Sequence, residues 1–148
     1  MNKEFGCQNM SGRIRRVLIK RPECAYINQS NIDQQSDKLN YYGKPVFEQA
    51  VKDYENFYNI LKSFDIDIHE LPSNNTTTLD SIYTHDPCIV SNSGVILCLM
   101  GKELRKPEPE EISSYFTSIG IPIAGKITPP GKVEGGDVIV HDEFIFIG

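Results

Sequence analysis

Hydrophobic positions along this chain come in short runs separated by polar stretches, and in two places they recur at helical spacing. Over 44–64, KPVFEQAVKDYENFYNILKSF, the residues Phe47, Ala50, Val51, Tyr54, Phe57, Tyr58 and Leu61 fall at i, i+3, i+4 and i+7. At 3.6 residues per turn those positions share one face, so the spacing predicts an amphipathic helix. Pro45 suits its first turn, where a missing N–H is harmless, and Glu48 and Lys52 form a favourable i,i+4 pair on the polar face. A second helix is predicted within 102–120. Glu108, Glu110 and Glu111 sit at the positive end of its dipole. Ile112, Tyr115, Phe116 and Ile119 make its apolar face, and Gly120 ends it.

The shorter runs read as strands. RRVLIKRP (15–22) is a strand closed by a proline. IDIHELP (66–72) alternates Ile66, Ile68 and Leu71 close to period two and is closed by Pro72. CIVSNSGVILCLMG (88–101) is two apolar runs around SNSG, a hairpin signature. IPIAGKI (121–127) is a strand, and DVIVHDEFIFIG (137–148) is a second hairpin around HDE. Between the first strand and the first helix, residues 24–43 are Asn/Gln/Ser-rich with no clean period, which reads as a long polar loop. The order is β–loop–α–β, then β–β–α–β, then β–β. This is an α/β chain in which one ββαβ unit appears about twice and begins a third time, the pattern of modules set around an axis.

Composition places the chain among ordinary globular proteins: 148 residues, 39% hydrophobic and 24% charged, for which a single domain over 1–148 is expected. The net charge of −5 argues against nucleic acid or an anionic membrane as the main partner. No run approaches the length of a membrane span. The N-terminal residues carry no apolar signal core, so a cytoplasmic location is the expectation. The cysteines Cys7, Cys24, Cys88 and Cys98 lack the paired spacing of a structural zinc site. Cys88 and Cys98 lie in apolar runs and read as buried thiols.

Carboxylates carry the candidate chemistry. In LDSIYTHDP (79–87), Asp80 and Asp86 flank Tyr83 and are six residues apart, which in an extended segment puts both on one face. In VEGGD (133–137) a double glycine permits close backbone approach beside Glu134, while Asp137 is suited to setting the turn. In MGKELRKPE, Arg105 precedes the second helix, a position from which a guanidinium can grip a carboxylate in two-pronged fashion. Several carboxylates with one arginine suit a small zwitterionic cation. The spacing of a dedicated metal loop is missing, so neither a metal nor another cofactor is expected. His69, His85 and His141 are scattered.

Taken together, these motifs resemble the guanidino-group modifying, or pentein, superfamily. IYTHDP (82–87) is similar to the F-T-R-D-P signature of arginine deiminases, and LDSIYTHD (79–86) to the D-x-x-F-x-x-D segment of dimethylarginine dimethylaminohydrolases. GVILCLMGKELRKPE (94–108) resembles the hairpin and arginine that follow it in those enzymes, VEGGD the L-E-G-G-D that both share, and RRVLIKRP their first strand. The resemblance runs in order over essentially the whole chain, and glycine amidinotransferases are further relatives. It implies a pentein fold, an α/β-propeller of five ββαβ modules, of which this chain would carry about two and a half.

By motif match, Asp80, Asp86 and Arg105 would bind substrate and Tyr83 would line the pocket. Asp86 would partner the guanidinium and Arg105 the substrate carboxylate. Glu134 would bind the guanidinium and orient the catalytic histidine. In the family a cysteine thiolate attacks the guanidinium carbon, an amine leaves, and water releases a ureido product such as citrulline. The family's histidine and cysteine lie further along a longer chain. His141 is too close to Glu134 for that part, and Cys88, directly after Asp86-Pro87, is poorly placed as a nucleophile.

The expectation is therefore the N-terminal, substrate-holding half of a hydrolase acting on arginine or methylated arginine. The alternatives are a catalytically inactive paralogue that holds arginine-like ligands or partners, and a remnant that merely folds. Exposed strand edges predict self-association or a complementary C-terminal half.

Overall fold

The computed structural model describes residues 5–6 and 9–148; Cys7 lies outside them. Packing divides the chain into two compact units, Ile14–Tyr83 and Met1–Arg13 with Thr84–Gly148, where length alone predicts one domain over 1–148. Among the described residues, no strand ladder joins the two units. The strands form three separate sheets, of two, three and two members.

In the unit Ile14–Tyr83, strands β1 (Arg16–Ile19) and β2 (Asp67–Glu70) pair in parallel, with Arg16 opposite Asp67 and Ile19 opposite Glu70. Parallel strands need a crossover, and here it consists of three helices: α1 (Pro22–Ala25), α2 (Gln29–Gln35) and α3 (Phe47–Lys62). Helix α3 is the one expected over 44–64, starting two residues after Pro45. Leu61 is its one buried residue, and Phe57, assigned to the apolar face, is 44% exposed.

The long polar loop expected over 24–43 is corrected by α2. Asn28 caps this helix by accepting from the N–H of Asn31 at 2.9 Å. Side chains four residues apart then bond along its surface: Gln29 to Asp33, Gln34 to Ser30 and Gln35 to Asn31. Such a helix is held by its cap and its side-chain amides. A single apolar residue, the fully buried Ile32, anchors it, so two turns of helix leave no hydrophobic period to read. Ile32 joins Ala25, Tyr26, Leu39 and Leu79 in the core of this unit, with Tyr41, Phe47, Ala50 and Ile82 packed around them.

The other unit contains β3 (Cys88–Ser91), β4 (Gly94–Leu97), α4 (Glu108–Ser118) and β5 (Ile123–Lys126). Strands β3 and β4 form the expected antiparallel hairpin, and β5 returns parallel to β4 after the helix, one ββαβ unit. Gly94 has φ +130°, and a Cβ there would stand 2.2 Å from the carbonyl oxygen of Pro122. Glycine is what lets the hairpin enter β4 against that backbone. Ile112 and Phe116 of α4 are buried, while Ile119 is 39% exposed. The last hairpin, β6 (Val138–His141) with β7 (Phe144–Ile147), turns at Asp142 with φ +49°. Strand β6 alternates, with Val138 and Val140 buried and Ile139 exposed. In β7 all four apolar residues are exposed, at 60–67%.

Replacing Ile32 by alanine removes the one apolar anchor of α2. A loss of about 2–4 kcal/mol in urea unfolding is expected, whereas an unchanged midpoint would show that α2 is held by its polar contacts alone.

Candidate functional site

Three segments of the unit containing Thr84–Gly148 meet at the guanidinium of Arg105. This residue ends a 3-10 turn, Glu103–Arg105, and its side chain is 6% exposed. Glu108, the first residue of α4 and 1% exposed, takes Nε at 3.0 and 3.1 Å and Nη2 at 2.8 Å. Nη1 donates to Asp86 Oδ2 at 2.9 Å and stands 3.7 Å from Glu134 Oε2, an ion-pair distance beyond a hydrogen bond. Burial works against the charge on Arg105, but the hydrogen bonds and field of Glu108, followed by those of Asp86, outweigh it, so its pKa is raised and the cation is kept. Asp86 and Glu134 retain 24% and 27% exposure. Formally, these three carboxylates carry two more negative charges than this one cation offsets.

The glycines explain how Glu134 reaches this place. Gly135 N–H donates to the carbonyl of Asp86 at 2.7 Å, and a Cβ on Gly135 would stand 2.1 Å from the carbonyl oxygen of His85 and 2.9 Å from that of Cys88. At Gly136 a Cβ would lie 3.1 Å from Asp86 Oδ1. The EGGD turn thus docks onto the backbone of the His-Asp-Pro-Cys segment, at a distance side chains would prevent. Glu134 Oε1 accepts from the N–H of Gly101 at 2.8 Å. Asp137 Oδ2 accepts from the N–H of Glu134 at 3.2 Å, while its own N–H donates to the Glu134 carbonyl at 3.0 Å. The two acids of the motif therefore divide: Glu134 meets Arg105 and Asp137 closes the turn.

Asp80 and Tyr83 belong to the other unit, Ile14–Tyr83. The one-face argument for Asp80 and Asp86 requires an extended segment, and the structure replaces it with a 3-10 turn over Leu79–Ile82. The turn is hung from α2, whose Gln35 Oε1 accepts from the N–H of Leu79 at 3.1 Å. Asp80 is 2% exposed and Tyr83 is 50% exposed. The phenol of Tyr41 is pushed to a higher pKa by burial first, and then by the field of Tyr26 and Asp80.

Of the histidines, His85 is exposed, and His141 and His69 stand near Asp142 and Asp67 respectively. Cys24, Cys88 and Cys98 are free thiols. Burial raises Cys88 to about 12, and burial together with Glu134, Asp137 and Asp86 raises Cys98 to about 11. Neither is set up to offer a thiolate at neutral pH.

Sequence reasoning counted Glu108 among the helix-dipole acids and missed its grip on Arg105. The available signal is the i,i+3 spacing across Pro107, which turns the two side chains toward each other at the entry to α4.

Known proteins resemble the chain that carries this arrangement in sequence and in fold. The family model for N,N dimethylarginine dimethylhydrolase, eukaryotic, matches residues 21–148. The chain belongs to this dimethylarginine dimethylhydrolase family. It is 28% identical over 108 residues to the N(G),N(G)-dimethylarginine dimethylaminohydrolase of Pseudomonas aeruginosa, covering 73% of this chain and 42% of that one. It is 30% identical over 105 residues to an uncharacterized protein of Aeropyrum pernix, covering 69% of this chain and 38% of that one. The crystal structure of a dimethylarginine dimethylaminohydrolase adduct with 4-chloro-2-hydroxymethylpyridine superposes with a TM-score of 0.71 at 25% identity, over 92% of this chain and 49% of the other. The pentein superfamily read from the motifs is therefore the right one, and the α/β fold is of the dimethylargininase type. The chain spans about half the length of the curated relatives it matches.

Replacing Arg105 by methionine removes the guanidinium that the buried Glu108 grips in three contacts, and a loss of roughly 3–5 kcal/mol at neutral pH is expected from chemical denaturation. Gly135→Ala forces apart the two docked backbones, at a cost of about 1–3 kcal/mol. The thiols add a pH signature. Cys88 and Cys98 hold their protons to about 12 and about 11 in the fold, against a reference of 9.0. Their contribution is therefore complete below pH 9 and is lost as pH rises toward 11–12. Alkylation of the native protein at pH 8, mapped by mass spectrometry, should spare both.

Proposed function

We propose that this chain is the substrate-holding N-terminal part of a guanidino-group hydrolase acting on arginine or methylated arginine to give citrulline. It would carry about two and a half of the five ββαβ modules of a pentein propeller. The observation that carries this reading is the pair Asp86 and Glu134, fixed through Arg105 on a docked double-glycine turn and left partly exposed with negative charge in excess. Two such carboxylates suit a planar guanidinium, whose N–H groups match carboxylate oxygens and whose charge offsets theirs. Holding the carbon in one place is the first requirement for attack on it.

On this reading Glu134 also orients the catalytic histidine. That histidine and the cysteine nucleophile come from residues outside these 148, since both thiols near the site are buried and held protonated. By motif match, Asp80 is a further substrate-binding carboxylate and Tyr83 a pocket-lining residue. Arg105 receives its carboxylate only by sharing itself with three acids of the chain. The P. aeruginosa relative, named for dimethylarginine hydrolysis, supports this substrate class. A second reading, an inactive paralogue that binds arginine-like ligands, makes the same use of Asp80, Asp86, Glu134 and Arg105 without turnover. The exposed β7 favours a covering partner, either a complementary C-terminal half or a second copy.

Calorimetry on the 148-residue chain tests the binding part. Arginine or a methylarginine should bind, and Asp86→Asn or Glu134→Gln should weaken binding at least about tenfold. No binding to the wild-type chain would sink the reading. Citrulline release is expected only once a complementary C-terminal half is added. Release by the chain alone would place the nucleophile within it, and its absence in the completed protein would leave the binding role.

A further inference from the structure

Glu108 has no part in the roles assigned so far, yet it is the most deeply buried acid around Arg105. Its two oxygens take the Nε–Nη2 edge of the guanidinium in three contacts of 2.8–3.1 Å. A guanidinium gripped along one edge has its plane and direction fixed. The opposite corner, Nη1, is thereby aimed at Asp86 Oδ2 and toward Glu134 Oε2. Pro107, immediately before Glu108, caps α4, and Pro109 occupies its first turn. Both restrict the backbone that presents Glu108. The acid is held rigidly, and it holds Arg105 in turn.

We propose that Glu108 is a positioning residue of the guanidinium site: by fixing Arg105 along one edge, it sets Asp86 and Glu134 as a pair and keeps Arg105 from entering the place of a guanidinium ligand. The inference rests on the reading of Asp86 and Glu134 as ligand carboxylates. Arg105 carries the same group the ligand would bring. With the Glu108 grip on its Nε–Nη2 edge removed, it would be freer to turn that edge to Asp86 and Glu134 and compete from within. Removing the Glu108 charge would also lower the negative excess from two to one. Both effects weaken a cationic ligand and leave a neutral one of the same shape largely untouched.

The test uses the 148-residue chain, with arginine as the cationic probe and citrulline as the neutral one, by calorimetry. Glu108→Gln should weaken arginine about tenfold or more and change citrulline by no more than about twofold, while Glu108→Asp, which keeps the charge, should return arginine to within about threefold of wild type. Equal losses for both probes, or no loss for either, would overturn the inference and leave Glu108 with a purely structural part. If Glu108→Gln does not fold, the uncharged Glu108→Met takes its place: a larger loss for arginine than for citrulline supports positioning, and equal losses or none overturn it. Absence of arginine binding to the wild-type chain overturns the underlying reading of Asp86 and Glu134, and this inference with it. That outcome is distinct from an intact wild-type affinity with an insensitive variant.

Discussion

The guanidinium of Arg105 is the constraint around which the site unit is arranged. An arginine cannot shed its proton in a protein interior, so burying one obliges the chain to bring acids to it. Here they arrive from three places: the residue before Pro87, the first residue of α4, and the start of the EGGD turn. Each lies in a different local structure, and nothing local requires them to meet. The cation makes them meet; for the buried Glu108 a dry setting keeps the pair together, while Asp86 and Glu134 reach the same cation and stay partly exposed.

Backbone accounting does the remainder. The EGGD turn reaches Asp86 because two residues without side chains can lie against peptide oxygens, and the contact is secured by the N–H of Gly135 on the carbonyl of Asp86. Glu134 then needs only one further tie, the N–H of Gly101, to fix its second oxygen. Main-chain groups position the carboxylates more firmly than long side chains would, because a peptide N–H has no rotamers to lose. Rigidity in the carrier and partial exposure of the acid are the two properties a binding carboxylate needs, and Asp86 and Glu134 have both.

How much of this was legible depended on whether a feature has a period or a motif. Helix α3 and the hairpins announced themselves through spacing, and the superfamily through four motifs in order. Helix α2 did not, because Ile32 is its only buried residue and its stability lies in an Asn cap and amide pairs that look like loop composition. The one-face argument for Asp80 and Asp86 failed on an unrecognised 3-10 turn, whose anchor, Gln35, lies 44 residues earlier. Glu108 was visible only as a charge at a helix start. That an acid near a helix N-terminus is buried against an arginine three residues back is a fact of tertiary structure, and sequence offers only the spacing.

A buried arginine and glutamate contribute little net stability, since an apolar pair of the same volume often serves as well. Their use must lie in what an apolar pair cannot do. An apolar replacement would leave Asp86 and Glu134 with no counter-ion, mutually repelling and free to turn into solvent. A lone arginine without Glu108 would neutralise them and occupy the space between them. The combination does neither: Glu108 absorbs one edge and one charge of the cation, and what remains is enough to orient two carboxylates but too little to satisfy them. An incompletely neutralised pair of acids on a rigid frame is a surface waiting for a second guanidinium, and the ion pair behind it sets how incomplete the neutralisation is.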